Sequence, residues 1–480
     1  MLFSISVTLL FLSFFASIAL TGFLRDVAKK RNFLVDIPNK SRKFHFRSTP
    51  LVGGIAIHLS MLLSTLLMLS LVDYKYNFKI EGLNWLKSST PEFVETGYSK
   101  SVYIIDEQGQ KEESYRINLT TQETPLSDSL SFDVNISSAP DDKLQISQID
   151  SKIFQVLMPN GISKSFELTE GGVMEVGLNG EPIGNPINVK NSETSLYVFS
   201  TFTTAFIIIA ILFQAFTLVD DAFGIKPAKR LLGQSIAALA LIIFGNVYIT
   251  SLQISILGIS LELGSWGIPF TVAAVVGITN AFNMIDGING LCAGLALVTI
   301  GALQVASGFN VSNYSLVIAM GSIIGFLFYN LGFLGIKRRV FLGDNGSTFL
   351  GFLVAWTCIN YSQRELSLIM PVTCLWIVAI PLLDCLGVMA NRIMQGVLPF
   401  NAGRDHIHHK LQAYLGSSSK TLICLCGMGV FLASIGIIIE KTTQSSEISL
   451  LIFLGVAASY YIASNYIDSN RFIDNTAVDV

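Results

Sequence analysis

Charge is scarce in this chain. Asp, Glu, Lys and Arg make up 14% of its 480 residues, where soluble domains carry about 25%. That shortage excludes a disordered chain, a coiled coil and an ordinary cytosolic enzyme. Cysteine is also sparse. The six (Cys292, Cys358, Cys374, Cys385, Cys424, Cys426) all sit in apolar stretches. No disulfide framework or zinc spacing is present, and Cys424-Leu-Cys426 is too tight for a metal knuckle. They read as buried apolar fillers. Internal repeats and low-complexity tracts are missing too. What fills the chain is apolar: 51% hydrophobic residues and a mean hydropathy of +0.57. This is the composition of a polytopic membrane protein. With 31 basic and 34 acidic residues, no nucleic-acid partner is expected.

A membrane span needs about 20 apolar residues. The sequence predicts about eleven, near 2–24, 51–72, 196–218, 232–250, 268–285, 290–308, 314–335, 347–361, 366–389, 421–439 and 448–466. Lys and Arg set the orientation. With the amino terminus outside, one set of loops carries 19 of them and the opposite short loops carry Arg364 and Lys441. The expected fold is therefore an all-α polytopic membrane protein of about 11 transmembrane helices, amino terminus outside and carboxyl terminus inside. The first span has no basic residue before its apolar run and is expected to stay uncleaved. Residues 73–195 hold 10 basic and 19 acidic residues. Short alternating runs there, punctuated by Pro159-Asn-Gly, Glu170-Gly-Gly and Asn179-Gly, predict an extracytoplasmic β-rich insert. The divisions are thus 1–72 with a basic cytoplasmic loop, the insert 73–195, a transmembrane core 196–466 and a tail 467–480.

Polar residues collect at span ends in five places. Asp220-Asp221 close the third span; adjacent carboxylates at a membrane boundary need a cation to stay ionised together, although a helix end with a cap is the plainer reading. Asn280, Asn283 and Asp286 are three apart and share one helical face, with Gly287 and Gly290 breaking the helix beyond them. Such polar density at span depth is costly unless it lines a site or a packing seam. Phe341-Leu-Gly343-Asp344-Asn345-Gly346-Ser347 opens the eighth span, as a phosphate or metal turn or as an ordinary cap. Arg404-Asp-His406-Ile-His408-His409 gathers three of the five histidines. They suit a transition metal, or a base and its phosphates. Lys40, Arg42, Lys43 and His45, followed by Gly53-Gly54, form a basic loop that also serves topology. The predicted topology puts all five on the cytoplasmic face. Carboxylates for a divalent cation beside Arg, Lys and His for anions suit phosphate chemistry with Mg2+.

In this order, these motifs resemble the polyprenyl-phosphate N-acetylhexosamine-1-phosphate transferase family, also called glycosyltransferase 4. The resemblance runs from about residue 25 to 420. Asp36 to His45 with Gly53-Gly54 is similar to the family's first inner loop, and Asp220-Asp221 with Arg230 and Gln234 to its aspartate pair. Asn280 to Leu291 is similar to its Asn-x-x-Asn-x-x-Asp-Gly motif. Gly343-Asp344-x-Gly346-Ser347 and Arg404-x-His406-x-His408-His409 complete the set. The His-x-His-His form favours the sugar-specific branch that acts on UDP-GlcNAc and undecaprenyl phosphate. Asn289 departs from the second Asp frequent in bacterial members, and the acidic insert is not part of the usual core.

The resemblance implies transfer of HexNAc-1-phosphate from a UDP-HexNAc to a polyprenyl phosphate, with release of UMP, at the inner membrane of a bacterium. It implies Asp344 and Asp220 as ligands of Mg2+, with Mn2+ as the alternative, and Asp220, Asp221 and Asp286 as catalytic carboxylates. Lys43, His45, Arg230, Asn280, Asn283, Asn289, Arg404, His406, His408 and His409 would bind substrate. Membrane lipid, a homodimer and an extracytoplasmic partner of the insert are the other expected associations. A different class, an ion-coupled transporter or lipid flippase, would use the same acids as ion sites. It predicts acids buried mid-span and paired across repeats.

Overall fold

The computed structural model describes residues 2–36, 48–76, eight strands between 96 and 188, and 201–476 without 257–258, 308–313, 364–368, 399–402 and 404. Side chains are described within those ranges from 6 to 67 and from 205 to 467. The chain divides into two compact units, residues 1–68 with 201–480, and residues 69–200.

In the second unit, β3 to β10 form two antiparallel meanders; the numbering starts after two short strands, β1 (Val35–Asp36) and β2 (Thr49–Pro50), of the first unit. β3 (Thr96–Ile105), β4 (Lys111–Gln122) and β5 (Ser131–Ser137) make a three-stranded sheet in sequence order. β6 (Gln145–Asp150), β7 (Ile153–Leu157), β8 (Ser163–Thr169), β9 (Gly172–Val176) and β10 (Pro182–Asn188) make a five-stranded one.

The first unit is helical. Its helices before the acidic cluster are α1 (Leu2–Arg31), α2 (Gly53–Tyr76), α3 (Thr201–Phe223), α4 (Pro227–Gly245), α5 (Gly267–Ile285), α6 (Leu291–Ala306) and α7 (Tyr314–Asn330). A small hairpin, β11 (Ser251–Ile256) with β12 (Ile259–Glu262), joins α4 to α5. Then come α8 (Asp344–Gln363), α9 (Pro371–Ile377), α10 (Ala379–Met394), α11 (Ile407–Leu415), α12 (Ser418–Thr443) and α13 (Ser446–Thr476). Among the described residues, six helices are long and apolar enough to cross a membrane, or seven if the bent pair α9–α10 is one span.

Two expectations need correction. The apolar run 366–389 is not one helix: it breaks at Val378 and bends by 83°. Pro381 supplies the cause, since it has no N–H to offer the carbonyl of Ile377 four residues back. The Thr299 hydroxyl, which donates to the Leu295 carbonyl at 2.9 Å, shares that hydrogen with the Ile377 carbonyl at 3.3 Å. The second correction is Asp286. It does not continue the face of Asn280 and Asn283, because α5 ends at Ile285 and Asp286 turns out of the helix with ψ 52°.

In an apolar solvent, helices gain little by burying leucine and associate through close packing of small residues and hydrogen bonds. α1 and α7 show this. Gly321 and Gly325 lie so close to α1 that an added Cβ would fall 2.1 Å from Ser13 Oγ and 2.6 Å from the Phe14 carbonyl. Ser17 then donates to the Ser322 carbonyl at 2.6 Å. α5 and α8 meet the same way, Gly351 seating against Thr279 and Phe282. α8 is the central element: Phe349, Leu350, Phe352, Val354 and Trp356 on it are all at most 2% exposed.

Candidate active site

The start of α8 organises the site. Asn330 donates to the Val340 carbonyl at 2.8 Å, which fixes the approach. Gly343 then takes φ +79°, a conformation that favours glycine. The start of α2 docks on this turn: the Gly53 and Gly54 amides donate to the carbonyls of Phe341 and Leu342, each at 3.0 Å. Asn345, fully buried, ties the turn to α3. Its backbone N–H donates to Asp221 Oδ2 at 3.2 Å, its side-chain amide donates to the same oxygen, and its own oxygen accepts from Gln214 at 2.9 Å.

Asp220 is 4% exposed and both of its oxygens are engaged. Oδ1 accepts the Ile225 amide at 2.8 Å, and Oδ2 sits 2.6 Å from Arg230 Nε in an ionic contact. Arg230 also reaches Asp344, Nη1 to Oδ2 at 3.5 Å. One guanidinium thus bridges the aspartate pair of α3 to the aspartate that opens α8. Asp344 is the open member, with a side chain 56% exposed. Its charge reaches Asp286 in the turn after α5: burial first, and the Asp344 carboxylate second, push the Asp286 carboxyl up to about 8.

The asparagines line the same floor. Asn283 donates to Ser347 Oγ at 2.9 Å, joining α5 to α8, and Asn280 donates to Gln234 Oε1 at 2.6 Å, joining α5 to α4. Asn289 is half-buried in the turn between α5 and α6.

The histidine loop packs onto that turn. A Cβ added at Gly287 would lie 1.9 Å from His408 Nε2, so only glycine lets the ring approach. His408 is 1% exposed and its ring lies 4.1 Å from that of His409 and 5.9 Å from that of His406. Burial, and then the His409 and His406 charges, drop His408 to about 3. It is neutral at ordinary pH. The folded group sits below its unfolded value of 6.5, so the unfolded chain binds the extra proton. The stability this contributes is full above 6.5 and is lost as pH falls from 6.5 toward 3. The melting temperature of detergent-purified protein is expected to decline across that window, and His408→Gln to flatten the decline. An unchanged slope would show that His408 titrates normally.

Three candidates, Lys43, His45 and Arg404, lie outside the described residues. The others converge in two groups that meet: Asp220, Asp221, Arg230 and Asp344 with Asn280, Asn283 and Asp286, and the histidines above Gly287. Sequence reasoning missed Asn345, Gln214 and Asp384. Asn345 stood inside a quoted motif, and its signal was an amide beside an acid in a glycine turn. Asp384 was a lone acid in an apolar helix, a signal only in the sense that such an acid needs partners. Among the described residues, no three His, Cys, Asp or Glu side chains form a ready-made metal cage.

Residues 203–362, which contain the four aspartates and the asparagines, match the model of glycosyl transferase family 4. A curated relative from Escherichia coli strain K12, named undecaprenyl-phosphate alpha-N-acetylglucosaminyl 1-phosphate transferase, is 36% identical over 241 residues, 49% of this chain and 65% of the relative. The protein of that name from Haemophilus influenzae is 37% identical over 251 residues, 51% of this chain and 68% of the relative. That from Yersinia pestis is 35% identical, covering 49% and 66%. The chain therefore spans just under two thirds of the length of the Escherichia coli relative. On the motifs, their convergence and this identity, the chain belongs to glycosyl transferase family 4.

Proposed function

We propose that this protein transfers HexNAc-1-phosphate, in the first instance GlcNAc-1-phosphate, from a UDP-sugar to a polyprenyl phosphate and releases UMP. The relatives' names point to those substrates. The observation that carries the reading is Arg230 spanning Asp220 and Asp344 at 2.6 and 3.5 Å. In the reaction, a lipid phosphate oxygen attacks the β-phosphorus of the donor and the bond from that phosphorus to UMP breaks. One phosphoanhydride replaces another. The barrier is the approach of two anions, and positive charge at the diphosphate lowers it.

A divalent cation, Mg2+ or Mn2+, fits the donor set. Mg2+ is usually held by one or two carboxylates plus substrate phosphates rather than by a protein cage. The open Asp344 and the half-buried Asp286 would be such a pair, whereas Asp220 is already committed to Arg230 and Ile225. When bound, the ion would neutralise charge on the diphosphate. The chain's own groups do the rest. Arg230 holds the carboxylates in register, Asp221 is oriented by Asn345, and Asn283 fixes α5 against α8. The histidine loop faces this floor and is where we place the nucleotide. The test is a donor panel (UDP-GlcNAc, UDP-GalNAc and UDP-deoxyhexosamines) with polyprenyl phosphate and Mg2+. UMP is expected only when donor, lipid and metal are all present. UMP from no donor, alongside ion flux in proteoliposomes, would replace the enzyme with a transporter.

We further propose eleven spans in a bacterial inner membrane, with the site cytoplasmic, residues 73–195 outside, and a homodimer and an external partner of the insert as associations. A cysteine introduced by Ser127→Cys is expected to react with an impermeant maleimide in intact spheroplasts. Reaction only after lysis would invert the topology.

A further inference from the structure

Asp384 is the least expected acid in the helical unit. It stands in α10 within Pro381-Leu-Leu-Asp-Cys-Leu, and its side chain is 3% exposed. A carboxylate that deep needs donors on both oxygens. Both come from one short stretch of chain. Oδ1 accepts the backbone N–H of Ile407 at 2.7 Å, and Oδ2 lies 2.8 Å from His406 Nδ1. Two turns along the same helix, Arg392 donates to Asp405 through Nε at 2.9 Å and Nη2 at 2.8 Å. α10 therefore grips residues 405, 406 and 407 one after another, just where α11 begins. His406 itself is 5% exposed, and its ring runs nearly parallel to that of His408, at 13°.

We propose that Asp384 is the positioning residue of the histidine loop: it holds His406 with a proton on Nδ1, leaves Nε2 as the nitrogen that meets ligand, and thereby sets affinity for the diphosphate of the sugar nucleotide. The second half rests on the nucleotide reading of the loop given above. Two acceptors cannot face each other at 2.8 Å, so the nitrogen opposite Asp384 Oδ2 carries the hydrogen. The neutral ring and the imidazolium both satisfy that requirement, and the other neutral tautomer does not.

Asp384→Asn probes this with little change in shape. The Ile407 N–H still demands an acceptor at the Oδ1 position, so the amide oxygen stays there. The amide NH2 is then turned toward His406 Nδ1, which must accept, and the ring proton moves to Nε2. The same logic governs the aspartate behind a catalytic histidine in serine proteases.

The experiment uses full-length protein in detergent with 15N-labelled histidine. The His406 signals, identified by their loss in His406→Gln, are expected to change from the Nδ1–H to the Nε2–H pattern in Asp384→Asn. Equilibrium binding of UDP-GlcNAc is expected to weaken about ten- to a hundred-fold, the scale on which partners behind ligating histidines act. KM for the donor should rise more than turnover at saturation falls. In a His406→Gln background the Asp384→Asn effect on binding should vanish. An unchanged tautomer pattern, or an equal loss of binding in both backgrounds, would overturn the assignment. Failure of the wild type to bind UDP-GlcNAc would sink the nucleotide reading and the affinity claim with it, while the proton position is read independently by the spectrum.

Discussion

Asp344→Asn is expected to cut UMP formation on the order of 1000-fold, with the melting temperature unchanged. Asn keeps the size at the first residue of α8 and removes only the charge. That charge is the exposed one of the cluster, 56% open to a ligand, while Asp220 is 4% open and already paired with Arg230. Loss of one electrostatic contact to a reacting group costs about 100- to 1000-fold in turnover, and a metal contact belongs at the upper end. Wild-type activity in this variant would remove Asp344 from the site.

Gly54→Ala is expected to do comparable damage by a different route. A Cβ at Gly54 would lie 2.3 Å from Asn345 Oδ1, 2.3 Å from Gly346 Cα and 2.5 Å from Gly346 N. Two of those atoms are backbone and cannot rotate aside. α2 or the first turn of α8 must move, and Asn345 loses its alignment with Asp221. Overpacking of this kind costs about 1–3 kcal/mol, and bonds lost from the half-buried Asp221 carboxylate add about 1.5–3 kcal/mol. The expected result is a lower melting temperature together with nearly complete loss of turnover. Gly277→Ala on α5 is the control, because nothing lies within 4 Å of its Cβ. That variant should match or slightly exceed wild-type stability, since Gly costs a helix interior about 0.5–1 kcal/mol relative to Ala. Equal behaviour of the two variants would contradict the docking of α2 on the aspartate turn.

Much of this was legible in the residues. The apolar runs near 268–285, 290–308 and 314–335 became α5, α6 and α7 within a few residues, because continuous apolarity leaves the backbone no better partner than itself. The aspartates and the histidine motif were legible because charge inside an apolar segment demands a reason. The bend at Val378 was harder to read. Pro381 announces a missing donor, but whether a helix absorbs or breaks at that gap depends on a neighbour such as Thr299, which lies 78 positions from Ile377. The run to Ile285 was read correctly, but Asp286 was placed on the face of Asn280 and Asn283, and a three-residue spacing describes a face only while the helix lasts. Asp384 and Asn345 stayed obscure for a related reason. Their meaning lies in groups at 406 and 221 that the fold brings near and the sequence keeps apart.

The docking around Asn345 also orders events during synthesis. Gly54 is made early, Asp221 follows only after the whole of residues 69–200, and the turn that joins them comes 124 positions after that. A ribosome that has finished Leu342 has produced every apolar helix through α7, yet the aspartate pair still lacks its clamp. Nascent chains stalled there should be inert and sensitive to proteases near residue 221, and protection should arrive abruptly once Asn345 clears the exit tunnel.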